Sequence, residues 1–183
     1  MKIKIGAVIV FAFVAGALFA QETRRTVVDR SPNPADDSRP NSSKVPDVFR
    51  IRGSLDRIVV LRFKYKTDLL AGMQKMIRQE HIQNGVILAG VGSVRGYQVH
   101  QVSNRTFPSQ DTFEKNPTAP ADLITMNGYI INGRVHPHMT LATPDRVIGG
   151  HLEPGTQVFT FAVVTIGVLK GVDFSHLDDS AYR

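Results

Sequence analysis

His136, His138 and His151 place three imidazoles within residues 136–151 of a 183-residue chain. Neutral imidazoles suit zinc and other borderline divalent metals. Three of them leave one position of a tetrahedral ion open to water or a ligand. The spacing lets them converge. In residues 135–143, Met139 and Leu141 fall on one parity, and His136, His138 and Thr140 fall on the other. A strand has a side-chain period of two, so the two histidines share a face. Thr143-Pro144-Asp145-Arg146 is a turn signal, with Pro second and Asp third. Val147 to Leu152 then forms the return strand. A hairpin centred on Pro144-Asp145 sets His138 directly opposite His151, with His136 one diagonal step away and within side-chain reach. The same register gathers Met139, Leu141, Ile148 and Leu152 on the other face. Gly149 leaves room above the histidines, and Val147 is the one apolar residue on their side.

Zinc held by three histidines lowers the pKa of a bound water to about 7. Hydrolysis or elimination would also need a base or an orienting carboxylate. Glu153 shares the parity of His151 and faces His136 in this register, which makes it the candidate base or fourth ligand. Arg134 shares the parity of His136 and is the candidate for holding an anionic substrate. Both residue types are also common on solvated surfaces. His81, His100 and His176 have no partners of this kind in the sequence and read as surface or internally satisfied histidines.

The elements that must position these residues follow from periodicity. Arg57 to Lys66 alternates as a strand. Leu69, Leu70, Met73, Met76 and Ile77 recur at helical spacing, so a helix is expected over 68–82. Thr67 or Asp68 would cap it and Asn84-Gly85 would end it. Val86 to Gly92 reads as a short buried strand. Gly90-Val91-Gly92-Ser93 looks like a phosphate loop, but Val94 to Val102 alternates as a strand where such a loop requires a helix. The glycines are therefore expected to allow a bend or bulge. Residues 103–121, with Pro108, Pro117 and Pro120, read as a polar loop. Leu123 to Gly133 is strand, turn and strand. Gln157 to Leu169 is apolar on both parities in its second half, as in a central strand or a subunit contact. The expected fold class is α+β, with one main helix packed on a largely antiparallel sheet.

Residues 1–20 read as a signal peptide, with Lys2 and Lys4 ahead of an uncharged apolar run too short to span a membrane. Once it is cleaved no stable membrane span is expected, and the location is periplasmic or secreted. Residues 21–46 are polar and proline-containing and read as a disordered tether. Residues 47–183 have the length of one domain. The chain has no cysteine, so a metal site must use His, Asp or Glu. The net charge of +6 is spread along the chain. Arg62, Lys64 and Lys66 alternate and would make a basic stripe on a strand, but export argues against a nucleic-acid partner.

Several stretches together resemble the PPC domain (plants and prokaryotes conserved). They are Leu61-Arg-Phe-Lys-Tyr65 with the helix after it, Leu88-Ala-Gly-Val-Gly-Ser93, Gly128-Tyr-Ile130, His136-Pro-His138 and Val147-Ile-Gly-Gly-His151. The likeness spans about residues 56–170. It implies a homotrimer of α+β subunits and a metal, zinc or another divalent transition metal, on His136, His138 and His151. Plant members generally lack these histidines and carry AT-hooks, whose Arg-Gly-Arg-Pro core does not occur in this chain. The resemblance supplies no enzymatic activity. The resulting expectation is an exported metal-binding protein whose partner is a small molecule or a protein. A metal-assisted hydrolase or lyase using Glu153 is the alternative, and DNA binding is the third reading.

Overall fold

The computed structural model describes residues 25–30 and 40–177. The expected signal peptide lies outside the described residues. The elements are β1 (Thr26–Arg30), β2 (Ser54–Lys64), α1 (Leu69–Gln79), β3 (Gly85–Val102), β4 (Asp111–Ile131), β5 (Arg134–Ala142), β6 (Val147–Leu152) and β7 (Val158–Lys170). The strands form one sheet in the order β1-β4-β5-β6-β3-β7-β2, with β4 also paired to β3. All these pairings are antiparallel. The α+β class, with a single helix among the described residues, is as expected. None of these helical residues makes a span long and apolar enough to cross a membrane.

Helix α1 starts where the sequence predicts. The Asp68 carboxylate accepts the Ala71 N–H at 2.9 Å, the usual service of an acidic N-cap. The same side chain accepts the Gly155 N–H at 2.7 Å and ties the helix start to the loop after β6. Leu69, Met73 and Ile77 are buried against the sheet. Truncating any of them to alanine would cost roughly 2–5 kcal/mol. The helix ends earlier than expected. His81 takes a left-handed φ of 52°, its N–H meets the Arg78 carbonyl, and Ile82 N–H meets the Ile77 carbonyl at 3.0 Å. That is a Schellman ending, so His81 serves the backbone and Gly85 instead opens β3.

Three further expectations change. Residues 86–92 and 94–102 are one strand, β3, whose register against β7 shifts between Gly92 and Val94. The expected bulge is there. The proline-bearing segment is mostly strand, and only 103–110 remain as loop. Residues 117–120 have no strand partner among the described residues on the side away from β3, so Pro117 and Pro120 remove no needed donor. Finally, Thr26–Arg30 of the expected tether forms a strand on residues 111–115 of β4.

Closure of the sheet matters most for the site. β4 pairs with β3 on one edge and β5 on the other, β5 pairs with β6, and β6 returns to β3 at Val99–Leu152 and His100–His151. The turn from β4 to β5 is Asn132-Gly133, with φ of 50° and 78°, the conformations a two-residue hairpin turn needs. Tyr97, Val99, Met139, Leu141 and Leu152 fill the interior of this circuit.

Candidate metal centre

The β5–β6 hairpin has the register its sequence predicts. His138 pairs with His151, Thr140 with Gly149, and Ala142 with Val147. At the turn, the Thr143 hydroxyl donates to Asp145 at 2.6 Å and accepts the Arg146 N–H at 3.2 Å. Met139, Leu141 and Leu152 are buried, and Ile148 packs against them. The histidines occupy the other face.

Their geometry is compact. His136 Nε2 and His138 Nε2 are 3.3 Å apart. That is long for a hydrogen bond. It matches the roughly 3.3–3.4 Å between two nitrogens held about 2.0–2.1 Å from one tetrahedral zinc. The His151 ring stands edge-on to both, with centroids 4.8 Å from His136 at 78° and 5.4 Å from His138 at 84°. His151 Nδ1 is buried without a hydrogen bond. Burial, reinforced by the surrounding histidines, holds the His151 pKa down at about 4. Burial followed by His136 and His100 also lowers that of His138. Both imidazoles are therefore neutral at pH 7, as a metal ligand must be. The residues present fit a zinc-like ion.

Sequence reasoning missed His100. Its ring stacks on His151 at 4.7 Å and 26°, and its other side meets Phe113 at 4.9 Å. Its Nδ1 lies 2.6 Å from Glu153 Oε1. The reading of His100 as an isolated histidine is thus corrected. Gly150 is the reason β6 can come so close. A Cβ at this position would lie 2.4 Å from the His100 carbonyl oxygen.

Glu153 is near the histidines, but not by the expected route. It lies past the end of β6, and its N–H bonds to the Gln98 carbonyl on β3 at 3.0 Å. Its carboxylate meets His100 and, at 3.5 Å, His151 Nδ1 rather than facing His136. Among the described residues, His100, His151 and Glu153 form a group whose donor atoms all lie within 4.8 Å of one another. Arg134 is exposed at the start of β5, opposite Ile131. His176 is also exposed.

A cleft of about 370 Å³ opens beside His136 and His138, lined also by Val86, Ile87, Asn127, Gly128 and Tyr129. Arg134 is not part of its wall. Cross-strand pairing aligns Tyr129 with His136 and Asn127 with His138 on one face.

The opposite face of the same strands holds a second polar cluster. Glu114 is buried and accepts from Tyr97 Oη at 3.0 Å, from Arg25 at 3.2 Å and from Arg146. Burial alone would raise its pKa. Hydrogen bonds from Arg25 and Tyr97 and the charge of Arg146 outweigh that and hold the carboxyl below its usual range. Burial raises the Tyr97 pKa.

Residues 50–170 match the Plants and Prokaryotes Conserved (PCC) domain, and the chain belongs to that family. The Bifunctional protein GlmU of Synechococcus sp. (strain JA-3-3Ab) is 29% identical over 131 residues, which are 70% of this chain and 20% of that protein. The chain thus spans about a fifth of the length of the curated relatives it matches. Among solved structures, a metal-containing protein from Archaeoglobus fulgidus superposes with a TM-score of 0.57 at 18% identity, over 68% of this chain and 87% of that one. A plant- and prokaryote-conserved protein from Pyrococcus horikoshii gives 0.56 at 24% identity, over 67% and 85%. These likenesses show a shared fold.

Proposed function

We propose that this chain is an exported metal-binding domain in which His136, His138 and His151 hold zinc or a similar divalent ion. The observation that carries this reading is the 3.3 Å approach of His136 Nε2 to His138 Nε2, with His151 edge-on to both. A relative of the same fold is described as metal-containing, which supports it. Bound zinc would serve as a Lewis acid toward an oxygen of the ligand. Three neutral imidazoles leave the positive charge of such an ion uncompensated, so an anionic or oxygen-rich small molecule suits the site. The cleft gives that molecule Asn127 for hydrogen bonding and Val86 and Tyr129 for apolar contact.

Binding is better supported than hydrolysis or elimination. The candidate base, Glu153, is engaged at 2.6 Å by His100 and does not line the cleft. DNA binding has weaker support, because the expected basic stripe is interleaved with apolar groups. Arg62 lies 5.9 Å from the centre of the Phe161 ring. Ile58, Val60, Leu88, Val91 and Phe161 are exposed on the same sheet face. A patch of that kind supports assembly into a homotrimer, which light scattering of the purified chain checks. The apolar run after Lys2 and Lys4 supports export. Cell fractionation, with the mass of the mature chain, checks that step.

Elemental analysis tests the metal. The untagged protein is expected to carry close to one zinc or similar ion per chain, and a His136→Ala/His138→Ala variant to lose it. A metal-free protein at neutral pH after exposure to zinc would sink the reading.

A further inference from the structure

We propose that His100 and Glu153 act as a positioning pair that fixes His151 for the metal. The inference rests on the metal reading above and extends it to residues that do not touch the ion. His100 donates its Nδ1–H to Glu153 Oε1 at 2.6 Å. The same oxygen faces His151 Nδ1 at 3.5 Å. When His151 donates its Nδ1–H to that oxygen, its Nε2 is left as the ligand atom, the same atom that His136 and His138 present to each other. A carboxylate behind a ligating imidazole sets its tautomer, orientation and basicity. Glu153 would itself be free to turn away without His100. His100 is in turn clamped between Phe113 and His151. The chain of support runs from Phe113 through His100 and Glu153 to His151.

Direct ligation by this pair is the competing arrangement, and the geometry disfavours it. An imidazole donates in the plane of its ring. The His100 ring lies stacked on the face of His151 with centroids 4.7 Å apart, and its Nδ1 is taken up by Glu153. The 2.6 Å separation of His100 from Glu153 is that of a short hydrogen bond. Two donors on one tetrahedral ion would stand about 3.3 Å apart.

The test uses the full chain stripped of metal. Zinc is titrated against a chromophoric chelator, and cobalt(II) is substituted to read the ligand set from its visible spectrum. The variants are Glu153→Gln, which keeps the shape and removes the charge, and His100→Phe, which keeps the stack and removes the N–H. Each is expected to bind one zinc per chain about 10–100-fold more weakly than the parent, with the cobalt spectrum unchanged in shape. Unchanged affinity in Glu153→Gln overturns the proposal. A changed cobalt spectrum, or a stoichiometry that falls from two to one, overturns it in favour of direct ligation. If His100→Phe does not fold, Glu153→Gln decides alone. A parent protein that binds no zinc defeats the underlying metal reading, whereas a zinc-binding parent with unaffected variants defeats only the pair.

Discussion

On the inner face of β3 and β4, Tyr97 and Glu114 meet Arg25 and Arg146. On the outer face of the same strands, His100 and Phe113 meet His151 and Glu153. The inner cluster sets one carboxylate and a phenol against two guanidinium groups, and Glu114 has three partners. Its desolvation is compensated within the chain. The outer cluster has four imidazoles and one carboxylate, and leaves His151 Nδ1 without a hydrogen bond. Buried polar groups that serve only the fold are normally satisfied. The inner cluster is thus closed by its own charges, whereas the outer one gathers four imidazoles around a single carboxylate and leaves one ring nitrogen short of a partner.

Several substitutions would break or sharpen that contrast. The largest loss is expected for Glu114→Ala, which strands Tyr97 and the partly buried Arg146. Stability to urea should fall by roughly 2–4 kcal/mol, while the folded fraction keeps its zinc affinity. A stability loss below 1 kcal/mol would remove the distinction. Next comes Gly150→Ala, whose Cβ would lie 2.4 Å from the His100 carbonyl oxygen. It should cost about 1–3 kcal/mol and also weaken zinc binding, since it parts β6 from β3 beneath the histidines.

Acid separates the two faces without mutation. His151 and His138 have folded pKa values below their ordinary one, His151 at about 4. The unfolded chain therefore binds more protons than the folded one between about pH 6.5 and 4. Metal-free stability is fully present above that window and declines as pH falls through it. Glu114 acts in the same direction but later, because its stabilisation is lost only as pH drops through its lowered folded pKa. Urea midpoints measured from pH 8 downward should begin to fall near pH 6.5, and His151→Gln should flatten that first segment alone. The smallest effect is expected for Arg134→Gln, within about 0.5 kcal/mol and with unchanged zinc affinity. A severalfold change in zinc binding would return Arg134 to the site.

Local chemistry explains which features were legible in the sequence. The histidine hairpin was legible because its turn residues and its alternation lie within one short segment and allow one register. Asp68 was legible as a cap for the same reason. His100 was not, because its meeting with His151 depends on β6 returning to β3 across an intervening hairpin and on the missing side chain at Gly150. The early end of α1 was hidden because His81, not a glycine, takes the left-handed position. The first half of β4 was hidden by Pro117 and Pro120, whose tolerance depends on which neighbours they lack, and its second half runs on past Asn127-Gly128 as one strand to Ile131. Glu153 was expected opposite His136, but it follows the end of β6 onto β3 and meets His100 instead.

The short strand β1 has a consequence for handling the protein. Residues 111–115 of β4 would otherwise present a bare row of backbone donors and acceptors. β1 occupies that row, and Arg25 just before it reaches Glu114. Unshielded edges of this kind recruit strands from other molecules. A version trimmed to start near Pro46, an obvious cut for crystallisation, would unmask a sticky margin and remove one ion-pair partner of the buried Glu114 in one step. Its failure in solution would look like aggregation, although the six remaining strands kept their pairings.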